Sequence, residues 1–94
     1  MEFEWDEVKE RTNRIKHGVR FDTALQVFSD PNQLLVEDRI DEETGETRWH
    51  TVGLVEQSVL LVVHVYRSKI DGQEIIRILS ARKASQSEVR RYFG

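Results

Sequence analysis

Two very apolar stretches carry arginines within them and at their ends: Leu60-Leu61-Val62-Val63-His64-Val65-Tyr66-Arg67, and Ile75-Ile76-Arg77-Ile78-Leu79-Ser80-Ala81-Arg82-Lys83-Ala84. A guanidinium keeps its proton at any ordinary pH, and burying it unpaired is expensive. Cations set against a packed core therefore need an anion. A phosphate would serve, and so would the chain's own carboxylates. With Arg48, these side chains form a set of cations whose anion is either the phosphate of RNA or the protein's own acids. Acid–base chemistry at a bound phosphate also needs a proton acceptor and a proton donor. Glu46, Glu56, His50 and His64 are the proton-transfer candidates, and Tyr66 and Tyr92 are polar aromatics beside them.

Other chemistries are excluded. The chain has no cysteine, which rules out a disulfide frame, a thiolate nucleophile and a sulfur-ligated metal, and suits a reducing cytoplasm. Three scattered histidines lack metal-ligand spacing, and there is no phosphate-binding glycine loop. No metal and no cofactor is expected. The acidic opening residues do not resemble a signal peptide, and the longest apolar run, Val59 to Val63, is too short to cross a bilayer. The 94 residues read as one domain, 1–94, with no membrane contact.

The net charge of −3 is unevenly divided. Residues 1–47 hold six Lys/Arg against thirteen Asp/Glu, and residues 48–94 hold eight against four. The expectation is an acidic helical side and a later sheet free to present positive charge.

The elements that must position these residues punctuate themselves. Asp6 can cap a helix over Glu7 to Lys16, stopped by His17-Gly18, with a thin apolar stripe of Val8 and Ile15. A second helix reads from Phe21 to about Ser29, with Phe21, Ala24, Leu25 and Phe28 on one face. Leu34-Leu35-Val36 is a short strand, and Asp38 to Gly45 a loop. Thr47 to Val55 alternates as a strand, Val59 to Arg67 reads as a central strand, and Asp71-Gly72 turns into Glu74 to Ala81. Ser85 and Glu88 have capping-box spacing before a short helix with Val89, Tyr92 and Phe93 on its apolar side. The expected fold is α+β: two N-terminal helices, a four-stranded antiparallel sheet and a short C-terminal helix.

Several residues together resemble a known family. Trp5-Asp6 with Lys9, Asn13, Lys16-His17-Gly18-Val19, Phe21, Ala24 and Val27-Phe28 is similar to the opening of the BrnT family of bacterial toxins. Gly45-Glu46 with Arg48, then Gly53, Leu61-Val62-Val63 with Arg67, and Ile76-Arg77-Ile78 before Ser80-Ala81-Arg82-Lys83-Ala84 with Glu88 and Tyr92 continue it. The resemblance implies a RelE-like toxin of a type II toxin–antitoxin pair that cleaves RNA without a metal. It also implies a BrnA-like antitoxin with a DNA-binding domain, in a complex of two toxins and two antitoxins. It favours Arg67 and Arg82 as functional positions.

Antiparallel pairing sets Arg67 and Arg82 at opposite ends of the sheet and divides the candidates in two. Glu46, Arg48, Arg67 and Arg77 gather at one end, and Arg82, Lys83 and Glu56 at the other. Arg67, Arg82, Arg48, Glu46 and His50 are the catalytic candidates, His50 because it shares a strand face with Arg48. Arg77, Lys83 and Tyr92 are RNA-binding candidates, and Arg77 has Glu74 or a helix acid as its alternative partner. His64, bracketed by valines, reads as a core histidine before a catalytic one, and His17 as a helix end. Trp5 and Trp49 read as core or partner-contact aromatics. A non-catalytic interaction module within a DNA-bound regulatory complex is the alternative to a ribonuclease.

Overall fold

A computed structural model describes residues 2–94. Strand β1 (Glu2–Glu4) precedes helix α1 (Glu7–His17) and helix α2 (Phe21–Ala24), which tightens into a 3₁₀ turn over Leu25–Ser29. Strands β2 (Leu34–Ile40), β3 (Thr47–Val55), β4 (Ser58–Ser68) and β5 (Glu74–Lys83) follow, and α3 (Gln86–Phe93) closes the chain. The sheet has five strands in the order β1-β5-β4-β3-β2.

This corrects the expected four-stranded antiparallel sheet. Four strands do form an antiparallel meander, but β1 adds a fifth, parallel to β5, with Glu2, Phe3 and Glu4 opposite Ile75, Ile76 and Arg77. Three residues give too short a period-two signal to stand out before a capped helix. The second helix is also only one α-turn before the backbone winds more tightly.

Helix α2 and the 3₁₀ turn cover one face of the sheet. Phe21, Ala24 and Val27 pack there on Val55, Leu60, Val62, Ile76, Ile78 and Ala81. Gly53 lets the 3₁₀ turn approach: a Cβ added there would lie 2.9 Å from the Val27 Cβ and 3.0 Å from its backbone. On the opposite face α3 covers one end only, with Val89 and Tyr92 against Val52, Val59 and Leu61. The other end of that face is open.

Helix α1 does not bury the stripe expected of it. Val8 and Ile15 are 69 % and 81 % exposed, and the residue that α1 buries is Asn13. The Asn13 side-chain amide donates to the Ala81 carbonyl at 2.8 Å, and its oxygen accepts from the Ala81 amide at 3.1 Å. It also donates to the Val19 carbonyl. The β5 backbone beyond the reach of β1 thus finds in Asn13 the donor and acceptor that a neighbouring strand would have offered. Asp30 does similar work beyond the end of β2: its carboxylate accepts from the Leu54 amide at 2.7 Å, from the Asn32 amide and from the Tyr92 hydroxyl.

Replacing Asn13 by Ala leaves the Ala81 amide and carbonyl buried without partners. The expected loss is about 2–3 kcal/mol in urea unfolding, with faster hydrogen exchange at the Ala81 amide than elsewhere in β5.

Candidate functional site

The open half of the sheet face is an arginine surface. Strand alternation sets Arg48 and His50 on one face of β3 and Val63, Val65 and Arg67 on the same face of β4, and pairing brings Arg77 of β5 opposite Val65. Two bulges adjust it. One makes Asp38 an extra residue in β2, and the other makes Leu79 an extra residue in β5, opposite the Val63–His64 step. The turn Asp41 to Glu46 closes one side, held by the Asp41 carboxylate accepting from the Glu43 and Thr44 amides. Lys9 of α1 comes over the other. The result is an open cleft of about 220 Å³, floored by Val65 and Leu79 and walled by Asp41, Glu46, Arg48, Arg67 and Arg77 with Lys9.

Each of these arginines already has an anion, and the chain supplies it. Arg48 donates from Nε and Nη2 to one Asp41 oxygen at 3.0 and 2.7 Å. Arg67 meets both Glu46 oxygens at 2.9 Å. Arg77 meets Glu4 at 2.5 Å. The acidic and basic halves of the sequence therefore interlock, and the expected segregation into an acidic helical side and a positive sheet does not occur. The arginine hydrogen bonds hold the Asp41 and Glu46 carboxyls below their usual range, so both are ionised and weakly basic at neutral pH.

The structure brings Glu46, Arg48, Arg67 and Arg77 together as the register implied. His50 lies two residues along β3 from Arg48, about 7 Å away by strand rise, with its Nε2 3.2 Å from Asp38. Arg82 is on the same face but stands opposite Leu61, six residues and roughly 20 Å along β4 from Arg67. Its guanidinium meets both Glu88 oxygens at 2.8 and 3.0 Å and pulls that carboxyl down to about 2. Glu88 also accepts from the Ser85 amide, so one carboxylate caps α3 and holds Arg82. Lys83 points to the other face by alternation. Tyr92 stands at the Arg82 end with its hydroxyl bound to Asp30, which raises its ionisation point.

Two expected groupings differ. Arg77 pairs with Glu4 across the parallel strand pair, instead of with Glu74 or a helix acid. Glu56 does not join Arg82 and Lys83: it sits in the β3–β4 turn at φ 56° and borders a separate open groove with Arg14 and Arg20. Sequence reasoning missed Asp38, Asp41, Glu4 and Glu88 as partners. A signal existed for Asp41, since a tight turn at Thr44-Gly45 brings it back beside Arg48.

His64 is on the helix side, fully buried, with Nε2 2.7 Å from the Thr51 hydroxyl and its ring against Phe28 and Tyr66. Burial, with a smaller contribution from His50, pulls its pKa down to about 4, so it is neutral at pH 7 and turned away from the cleft.

A family model described as "Ribonuclease toxin, BrnT, of type II toxin-antitoxin system" matches residues 5–88. The chain belongs to the BrnT family. Comparison with curated proteins finds no match. Membership makes the chain a ribonuclease toxin with a protein antitoxin as its partner, and favours an enzyme over the interaction-module alternative. Among the described residues no helix is long and apolar enough to cross a membrane.

The neutral burial of His64 gives a pH signature. Its unfolded form binds a proton near pH 6.5 and its folded form only near 4, so its contribution is complete above 6.5 and is lost as the pH falls from 6.5 to 4. The loss should reach on the order of 2–3 kcal/mol. Urea unfolding across this range should show a shallower pH slope for His64→Gln than for the wild type, and an equal slope would contradict the assignment.

Proposed function

We propose that this chain cleaves RNA at the cleft between the Asp41–Glu46 turn and α1, without a metal, and that an antitoxin silences it by covering the same face. The observation that carries the reading is the convergence of Arg48, Arg67 and Arg77 around Val65 on the uncovered half of the sheet. A phosphodiester entering there meets guanidiniums already oriented by carboxylates, and preorganised donors of this kind stabilise developing charge without reorganising.

Arg48 and Arg67 bind the reacting phosphate. Glu46 fixes the plane of Arg67, and His50, steadied by Asp38, exchanges protons with the 2′-hydroxyl or the leaving oxygen. Arg77 extends the positive surface. Arg82, with Tyr92 nearby, belongs to an RNA track toward α3, since its distance from Arg67 is too great for both to grip one phosphate, and Lys83 on the other face stands outside that track. The cleft carboxylates each serve an arginine, which supports chemistry run by guanidiniums over chemistry run by a carboxylate-bound ion.

The antitoxin we propose is BrnA-like. One segment lays apolar side chains and acids on the open face, burying on the order of 1,000–2,000 Å², and a dimeric DNA-binding domain gives two toxins and two antitoxins. The cytoplasm is where such a pair would act.

Arg48→Ala and Arg67→Ala should each lower RNA cleavage about 100-fold or more and abolish growth arrest while the proteins remain folded by circular dichroism. Arg82→Ala should cost less, because its partner Glu88 lies outside the cleft. Cleavage should persist in excess chelator. Unchanged toxicity of the folded Arg48 and Arg67 variants would refute the site, and loss in chelator with recovery in magnesium would refute the metal-free mechanism.

A further inference from the structure

Four cations reach the cleft, and one of them differs. Arg48, Arg67 and Arg77 each have a carboxylate of their own, whereas Lys9 makes no ion pair among the described residues. A phosphate arriving at an arginine must compete with, or share, a donor set already engaged by a carboxylate. At Lys9 it meets an ammonium with its donors free.

The position of Lys9 is built. Asp6 caps α1 by accepting from the Val8 and Lys9 amides at 2.8 and 3.1 Å, which fixes the first turn. One turn on, Asn13 clamps the helix to Ala81 through two hydrogen bonds. Residues four apart share a helix face, so the clamp that seats Asn13 on β5 also directs Lys9 over the sheet, where it borders the cleft with Leu79 and Val65. Lys9 itself is exposed, so its ammonium is open to an arriving anion.

We infer that Lys9 is a further catalytic residue of the ribonuclease, binding a non-bridging oxygen of the phosphate that is cleaved. Its ammonium donates to the substrate phosphate on arrival and keeps those hydrogen bonds as charge builds on the phosphorane. No covalent bond forms to Lys9 and it gives up no proton. This rests on the cleft being the RNA site.

The test compares Lys9→Met, Lys9→Arg and Arg11→Met, the last removing one charge from another face of the same exposed helix. Cleavage is measured on an unstructured RNA. Binding is measured by fluorescence anisotropy with a labelled, mixed-sequence 2′-O-methyl oligoribonucleotide, which cannot be cleaved by 2′-attack. Lys9→Met should lose about 100-fold in cleavage, and its slope of log affinity against log salt should become shallower by about 0.7, the loss of one phosphate contact. Lys9→Arg should recover most of both, and Arg11→Met should match the wild type. A helix role alone would leave the salt slope unchanged. If Lys9→Met cleaves and binds as the wild type does while Arg48→Ala and Arg67→Ala are inactive, the Lys9 inference is overturned and the cleft stands. If Arg48→Ala and Arg67→Ala cleave normally, the cleft falls and the inference falls with it.

Discussion

The outer edge of β5 is the constraint around which this molecule is arranged. A ten-residue strand that sits next to the centre of a sheet exposes a row of amides and carbonyls that must be satisfied. A three-residue strand covers its first part, and a single asparagine on a helix covers its later part. Because both come from the N-terminal segment, solving the edge also delivers Glu4 to Arg77 and Lys9 to the rim of the cleft. Edge satisfaction and assembly of the cleft are one event. Asp30 repeats the device beyond the end of β2, and through Tyr92 it ties α3 into the same frame.

The charges obey a related economy. A surface rich in arginine would repel itself before any anion came, and its side chains would lose much conformational freedom on binding one. Pairing each guanidinium with a carboxylate removes the repulsion and fixes the geometry in advance. It also accounts for a ribonuclease of net charge −3. The acids that make the chain acidic, Glu4, Asp41 and Glu46 among them, lie within the cationic surface itself and orient it.

Much of this was legible in the sequence, for local reasons. The Asp6 cap, the Gly18 stop, strand β3 from Thr47 to Val55 and the Ser85–Glu88 capping box are written in adjacent residues, and all are present. The gathering of Arg48, Arg67 and Arg77 also followed, because short turns fix an antiparallel register. Long-range relations were hidden. Glu2 to Glu4 offer one apolar residue between two acids, and nothing near them indicates a partner some seventy residues away. Asn13 looked like an ordinary polar helix residue, and Val8 and Ile15 looked like the buried stripe, because helical periodicity assumes that the apolar face is the inner one. At a sheet edge the inner face has backbone to satisfy, and an amide serves where a valine cannot.

The parallel pairing of β1 with β5 also sets an order of events during synthesis. Glu2 finds its place only opposite Ile75, and Glu4 only opposite Arg77, so the first strand made waits for nearly the last. Closing so long a loop is slow compared with forming the β3–β4 and β4–β5 hairpins. A growing chain therefore holds its cleft unassembled until most of its length has been translated, and a truncated product that ends before β5 lacks Arg77, the seat of Asn13 and the floor residue Leu79 together. The topology sets a built-in delay between the first residue made and the finished cleft.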